Sequence, residues 1–301
     1  MWVAEGWTDY ALLDCSRGER LERWGPYTLV RPDPQVIWDT PRRHPGWERP
    51  DARYVRSPAG GGVWDNHHLP PSWEIRYASY VFHVRAMNFK HTGLFPEQAA
   101  NWQWLRACVE AASRPVKALN LFAYTGGATV AAAAAGAEVC HVDAARGMVA
   151  MARQNAASSG LGASAIRWIT DDCRAFVSRE IRRGRRYDAV ILDPPSYGRG
   201  SAGEVWKLED DLFGLLTLCA DVLSDQPLFV LLSSYTAGLA PGTLACLLNH
   251  VFTARFGGRA QSGELGLPIQ GAGMALPCGA AGRWTSTREA TIKCNIIDAT
   301  Q

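Results

Sequence analysis

Three observations predict an α/β protein: a doubly wound, mainly parallel sheet preceded by a small β-rich domain. From Val116 onward, short apolar strands alternate with helix-period segments, the pattern of a parallel sheet covered by helices. Four successive strands of that region end in small or acidic residues, where a doubly wound sheet places its ligand. Residues 1–72 have another texture, with β-like pieces separated by Pro- and Gly-rich turns.

The first domain, 1–72, carries its strands at Tyr10 to Leu13, Tyr27 to Val30 and Val36 to Trp38, and ends in a linker containing Gly60-Gly61-Gly62 and Pro70-Pro71. Its six tryptophans could stack on bases; the plainer reading is that they fill a small core and its seams. The second domain, 73–301, opens with a strand at Tyr80 to Val84 and a helix at Pro96 to Ala112. Strands at Val116 to Phe122, Glu138 to Val142, Ala165 to Ile169, Ala189 to Leu192 and Leu228 to Leu232 then alternate with helices at Gly126 to Ala135, Met148 to Ser158, Arg174 to Ile181 and Asp210 to Leu223. A further helix follows Pro241. Glu264 to Leu267, Ala275 to Cys278 and Ala290 to Ile297 read as antiparallel edge strands.

Bulk chemistry narrows the function. Apolar residues make up 47% and charged residues 20%, enough for a sizeable core, and the net charge of +2 does not by itself indicate nucleic acid. Eight scattered cysteines with no C-x-x-C pair point to reduced thiols, no metal site and a cytoplasmic location. The longest apolar stretch, Ala128 to Val142, is interrupted by Gly136 and Glu138, so no membrane partner is expected. The run Arg179 to Arg186 reads most simply as a solvated helix end, with a grip on RNA phosphates as the other reading.

The strand ends carry the chemistry. Asn120-Leu-Phe-Ala-Tyr-Thr-Gly126-Gly127 is a strand entering a small-residue turn. It is not G-x-G-x-x-G, which disfavours a dinucleotide and leaves room for a cofactor without phosphates. Asp143 closes the next strand 17 residues after Gly126 and can accept both hydroxyls of a ribose, or cap the following helix. Asp172 can accept an adenine amino group, or cap the helix through Phe176. Asp193-Pro194-Pro195-Ser196-Tyr197 is a stiff turn in which two prolines remove two N–H donors and leave their carbonyls as outward acceptors. Such acceptors can orient a planar nucleophile while Tyr197 stacks on it.

These four segments together resemble the class I S-adenosylmethionine-dependent methyltransferases, a Rossmann-like fold, and most of all the branch of bacterial large-subunit rRNA methyltransferases. Lys90-His-Thr-Gly93-Leu-Phe95-Pro-Glu97-Gln98 is similar to the segment with which that branch covers its cofactor, although Glu97 and Ala99 stand where Asp and Arg are common. The resemblance implies S-adenosyl-L-methionine as cofactor. It implies that Asn120, Phe122, Ala123, Tyr124, Thr125 and Gly126 line its methionine part, Asp143 and Ala144 its ribose and Asp172 its adenine. It further implies that Phe95 and Gln98 close over it, and that Asp193, Pro194 and Tyr197 face the acceptor, with Asp193 at the cofactor as well. The implied partner is RNA, in particular rRNA, although the first domain does not resemble the RNA-binding module of that branch. Members that make 5-methylcytosine carry Ser-Ser-Cys at the end of the next strand, where this chain has Ser233-Ser234-Tyr235. Cytosine C5 needs a thiolate at C6 before it becomes nucleophilic, so a nitrogen acceptor is expected. The other readings are a small-molecule or protein acceptor on the same fold, and a binding module without catalysis.

Overall fold

The alternating pattern folds as a mainly parallel sheet in the computed structural model, which describes residues 1–57, 60–66, 68–87, 89–199 and 205–286. The strands are β1 (Trp2–Val3), β2 (Tyr10–Ser16), β3 (Glu19–Trp24), β4 (Tyr27–Pro32), β5 (Ala52–Arg56), β6 (Gly62–Asn66), β7 (Trp73–Tyr77) and β8 (Tyr80–Val84). Helix α1 (Ala99–Ala111) leads to β9 (Lys117–Leu121), α2 (Gly127–Ala134), β10 (Glu138–Asp143), α3 (Arg146–Ser158), β11 (Ile166–Thr170), α4 (Cys173–Arg182) and β12 (Ala189–Leu192). The chain continues through β13 (Tyr197–Arg199), β14 (Val205–Lys207), α5 (Leu208–Val222), β15 (Phe229–Ser234), α6 (Pro241–Leu248), α7 (Ala254–Phe256), β16 (Arg259–Pro268) and β17 (Ala275–Thr285).

Two compact units result. One comprises Met1, Val3–Ala99 and Gly266–Cys278; the other comprises Trp2, Ala100–Leu265 and the chain from Gly279. The expected boundary at residue 72 falls between β6 and β7, and the unit that contains it continues to Ala99.

The first unit holds a five-stranded sheet in the order β2-β3-β4-β5-β6 and the hairpin β7-β8. Arg17 and Gly18 both take positive φ (54° and 74°) between β2 and β3, the geometry a two-residue hairpin turn requires. Leu21, Val30 and Trp47 form its apolar centre. The tryptophans are used structurally. The indole N–H groups of Trp38, Trp47, Trp64 and Trp73 donate to the Cys15 carbonyl, the Asp14 carboxylate, the Met87 carbonyl and the Trp24 carbonyl. Val36 to Trp38, expected as a strand, form none. The Val36 N–H turns back to the Asp33 carbonyl beside Pro34, and the segment makes only isolated bonds to the Arg17–Gly18 turn.

An eight-stranded sheet is ordered β1-β16-β17-β15-β12-β9-β10-β11, and the second unit holds all of β15, β12, β9, β10 and β11. β9 pairs in parallel with β10 on one side and with β12 on the other, so the chain reverses its direction of travel across the sheet between β11 and β12. Strand β15 continues the parallel set, and β17 is antiparallel to it. The Gly-rich tail is therefore not confined to the edge, because β17 lies between β15 and β16. The expected strand at Ala290 to Ile297 lies outside the described residues. Leu119, Leu121, Val142, Phe176, Val190, Leu192, Leu215 and Leu232 are buried in the core around these strands.

Candidate functional site

A parallel sheet binds ligands beyond the carboxyl ends of its strands, at the point where strand order reverses. Here that point lies between β9 and β12, whose register pairs Asn120 with Ile191 and Leu121 with Leu192. The residues leaving those two strands, Phe122 and Asp193, therefore emerge side by side. Val142 pairs with Leu121 and Asp143 with Thr170, so Asp143 and the residues after β11 continue the same row of strand ends.

The β9–α2 loop is held in an unusual backbone shape. Phe122 and Tyr124 take positive φ (53° and 50°) although neither is glycine, and Gly126 follows at 84°. Left-handed backbone at bulky residues costs energy and persists where the surroundings fix it, often at ligand clamps. The clamps are identifiable. The Asp143 carboxylate accepts the Tyr124 N–H at 2.8 Å and the Ala145 N–H at 2.8 Å, and the Asn155 side-chain amide donates to the Thr125 carbonyl at 2.8 Å. A Cβ on Gly126 would stand 2.9 Å from the Ala152 Cβ, so α3 approaches the loop too closely for any other residue. Gly126 caps α2 with no capping side chain, leaving first-turn amides directed toward the loop.

Beneath the loop, the buried Asn120 amide donates to the Thr129 hydroxyl at 2.9 Å, and that hydroxyl lies 2.9 Å from His141 Nδ1. Thr129 accepts from Asn120, and its hydroxyl shares a second hydrogen bond with the His141 ring. Burial pushes the imidazole down to about 3, and it is neutral. This relay fixes the rotamer of Asn120.

Asp143 does not occupy the N-cap of α3, which falls to Ala145; each of its oxygens accepts one backbone N–H, and the remaining lone pairs are available for two hydroxyls. Burial raises its carboxyl above the usual range, and the two backbone N–H bonds counter part of that rise. Asp172 does cap α4, accepting the Ala175 N–H at 2.8 Å through one oxygen. Ala144 is exposed between Asp143 and Ala145.

The Asp193 turn departs from expectation in one respect. The carbonyls of both prolines were expected as outward acceptors, but that of Pro195 already accepts the Trp206 indole N–H at 2.7 Å. Trp206 also packs on Phe122, with ring centroids 5.4 Å apart, and so ties the Asp193 turn to the β9–α2 loop. Tyr197 opens β13 opposite Lys207 and is 52% exposed. Phe95 and Gln98 belong to the first unit. Phe95 precedes the single helical turn Pro96–Gln98 with the His91 ring 5.4 Å away, and Gln98 is buried. Asn155 and Trp206 are positioning residues that the sequence reading passed over. A buried asparagine on a helix is a visible signal; the pairing of Trp206 with Pro195 has none.

An adenosine-bearing cofactor without phosphates fits this donor and acceptor set: helix-end amides for a carboxylate, the Asp143 oxygens for paired hydroxyls, and Asp172 for an amine. Known proteins agree. A family model for S-adenosylmethionine-dependent methyltransferases matches residues 52–223. The crystal structure of an S-adenosylmethionine-dependent methyltransferase from Agrobacterium tumefaciens is 38% identical, with a TM-score of 0.89 over 95% of this chain and 93% of that one. A structure from Streptococcus mutans, 17% identical, shares the fold with a TM-score of 0.70, covering 93% of this chain and 76% of that one. Ribosomal RNA large subunit methyltransferase K/L of Methylococcus capsulatus is 31% identical over 57% of this chain and 21% of its own length. Ribosomal RNA large subunit methyltransferase I of Aeromonas salmonicida is 34% identical over 40% of this chain and 29% of its own length. The matches thus span less than a third of either curated relative. With more than half of its residues matched by the family model, the chain belongs to the S-adenosylmethionine-dependent methyltransferase family.

Proposed function

We propose that this enzyme methylates a base of RNA, at a nitrogen atom. The observation that carries the nitrogen reading is the end of β15, where Ser233 and Ser234 are followed by Tyr235. A phenol is a poor nucleophile at neutral pH and cannot replace the thiolate that carbon methylation of cytosine requires. The buried thiols of the second unit do not supply one either: burial pushes Cys140, Cys173 and Cys219 up. A neutral ring or exocyclic nitrogen needs no covalent activation. It needs its lone pair aligned with the methyl group, and its proton removed late in the step.

S-adenosylmethionine supplies an already activated sulfonium methyl group. The chain's own residues orient and exclude water. Asp143, with Ala144, holds the ribose and Asp172 the adenine amine, while Asn120 and the Phe122–Gly126 loop line the methionine part. Asp193 and the Pro194 carbonyl accept from the nitrogen and orient it, and Tyr197, with half its surface exposed, stacks on the ring. The names of the curated relatives favour rRNA as the acceptor.

The test is to incubate the protein with labelled cofactor and RNA from cells lacking its gene, then identify the methylated nucleoside by mass spectrometry. An N-methylated base is expected, with no denaturation-stable adduct on 5-fluorocytosine-substituted RNA. Such an adduct, or 5-methylcytosine as product, overturns the nitrogen reading. Full cofactor binding with no RNA methylated overturns the RNA acceptor.

A further inference from the structure

The opposite end of the same sheet carries a cavity. It has a volume of about 620 Å³ and is lined by Lys117, Glu138, Arg167, Arg185, Arg186 and Tyr187 among others. Lys117 and Glu138 are the first residues of β9 and β10, whereas the cofactor loop leaves the last ones. Four residue steps along a strand put roughly 13 Å between the two places.

The basic side chains here are organised. Glu180, fully buried on α4, accepts the Tyr187 hydroxyl at 2.6 Å, Arg167 at 3.2 Å and Arg183 at 3.1 Å, with Arg185 at 3.8 Å. Burial alone would raise the Glu180 carboxyl; the bonds from Tyr187, Arg167 and Arg183 outweigh it and hold the group below its usual value. One internal carboxylate therefore anchors three guanidinium groups, two of which line the cavity. Arg186 and Lys117 add two further positive charges to the lining, against Glu138 alone on the negative side. A solvated helix end would leave each arginine to find its own rotamer. Here part of the ordering cost is already met before any ligand arrives.

We propose that this cavity is a second binding site, which takes the phosphate group of a nucleotide unit. Guanidinium forks match phosphate oxygens bidentately, and Lys117 adds a point charge. The lining also contains the half-buried Ile166, an apolar surface that an inorganic ion would leave unused and a base or ribose would cover. The volume falls within the range of small-ligand pockets. The phosphate belongs either to an RNA backbone or to a free nucleotide, and the site does not depend on which atom the enzyme methylates.

Two probes separate these sources: a short fluorescently labelled RNA oligonucleotide, read by anisotropy, and AMP, read by calorimetry. The variant is Arg185→Ala with Arg186→Ala, both exposed; of the two only Arg185 reaches Glu180, at 3.8 Å, and Arg167 and Arg183 keep that carboxylate bonded in the variant. The control is Arg174→Ala with Arg182→Ala, which removes the same charge from outside the cavity lining. Both should bind S-adenosylhomocysteine like the parent protein, which shows the fold intact. The cavity variant should lose at least about tenfold in affinity for the probe that binds. If that probe is RNA, the log–log salt slope should also fall by about one to two, while the control changes affinity less than about twofold. Loss for RNA alone identifies the backbone as the source; loss for AMP identifies a free nucleotide. Equal weakening by the control, or no loss with either probe, overturns the site.

Discussion

Asp143 performs two duties with one carboxylate. Its oxygens hold the Tyr124 and Ala145 amides, which shapes the loop, and its remaining lone pairs are the proposed acceptors for the cofactor's ribose. Asp143→Ala should weaken S-adenosylhomocysteine binding by roughly 2–3 kcal/mol, since a charged acceptor is lost. The pH dependence follows from the raised carboxyl. A higher pKa means the acid holds its proton to higher pH, so cofactor affinity should decline on acidification earlier than an ordinary aspartate would dictate. Tyr197→Ala is the contrasting case, because its exposed ring lies on the turn proposed to face the acceptor. Turnover should fall at least tenfold while calorimetric cofactor affinity changes little. Unchanged cofactor affinity in the Asp143 variant would reduce that residue to a loop brace.

At the scale of elements, the three-stranded stretch β2-β3-β4 is pinned by a buried ionic group. Glu22 on β3 is fully buried, accepts Tyr10 at 2.8 Å and pairs with Arg31 at 2.5 Å, with Arg20 at 3.4 Å. Burial alone would raise its carboxyl, but Arg20 and Arg31 outweigh it and bring the value down to about 2 from 4.5. The folded-state value lies below the unfolded one, so this stabilisation is complete above pH 4.5 and is lost as pH falls through about 2. Glu22→Gln should cost about 3–5 kcal/mol in denaturant unfolding, because Arg31 keeps its charge without its counter-ion. It should also flatten the acid limb of the stability profile; an unaltered limb would assign acid sensitivity elsewhere. None of this was legible in Glu19-Arg-Leu-Glu-Arg-Trp, where the alternation gives no sign that Glu22 faces inward. The parallel strands were legible because each is an apolar run ending in a small or acidic residue, which located Asp143 and Asp193. The short β13 and β14 were not, being three residues each and held by Trp206 reaching back to Pro195. In β16 and β17 the glycines Gly263, Gly266, Gly279 and Gly282 interrupt the alternation, and only fragments of the two strands could be read.

The order of strands in space differs from their order in the chain, and that decides which part of the molecule can fold. The family model covers residues 52–223, which include β9 to β12 but stop short of β15. In the sheet, β15 is the strand that pairs with β12, and β17 pairs with β15. Ending the chain at Leu223 would leave β12 as an exposed apolar edge, a template for association. It would also remove Phe229, Val230, Leu232, Leu244, Leu248, Phe252 and Trp284, all fully buried. At about 1.5–3 kcal/mol for each large side chain, the loss is on the order of 10–20 kcal/mol, comparable with or above the entire stability of a typical domain. The fragment 52–223 should therefore show no cooperative thermal transition and should bind a hydrophobic dye, whereas the full chain should melt in a sigmoidal transition shifted upward by S-adenosylhomocysteine. A cooperative, cofactor-responsive transition in the fragment would mean that the β9-to-β12 half of the sheet closes its own core without β15 to β17.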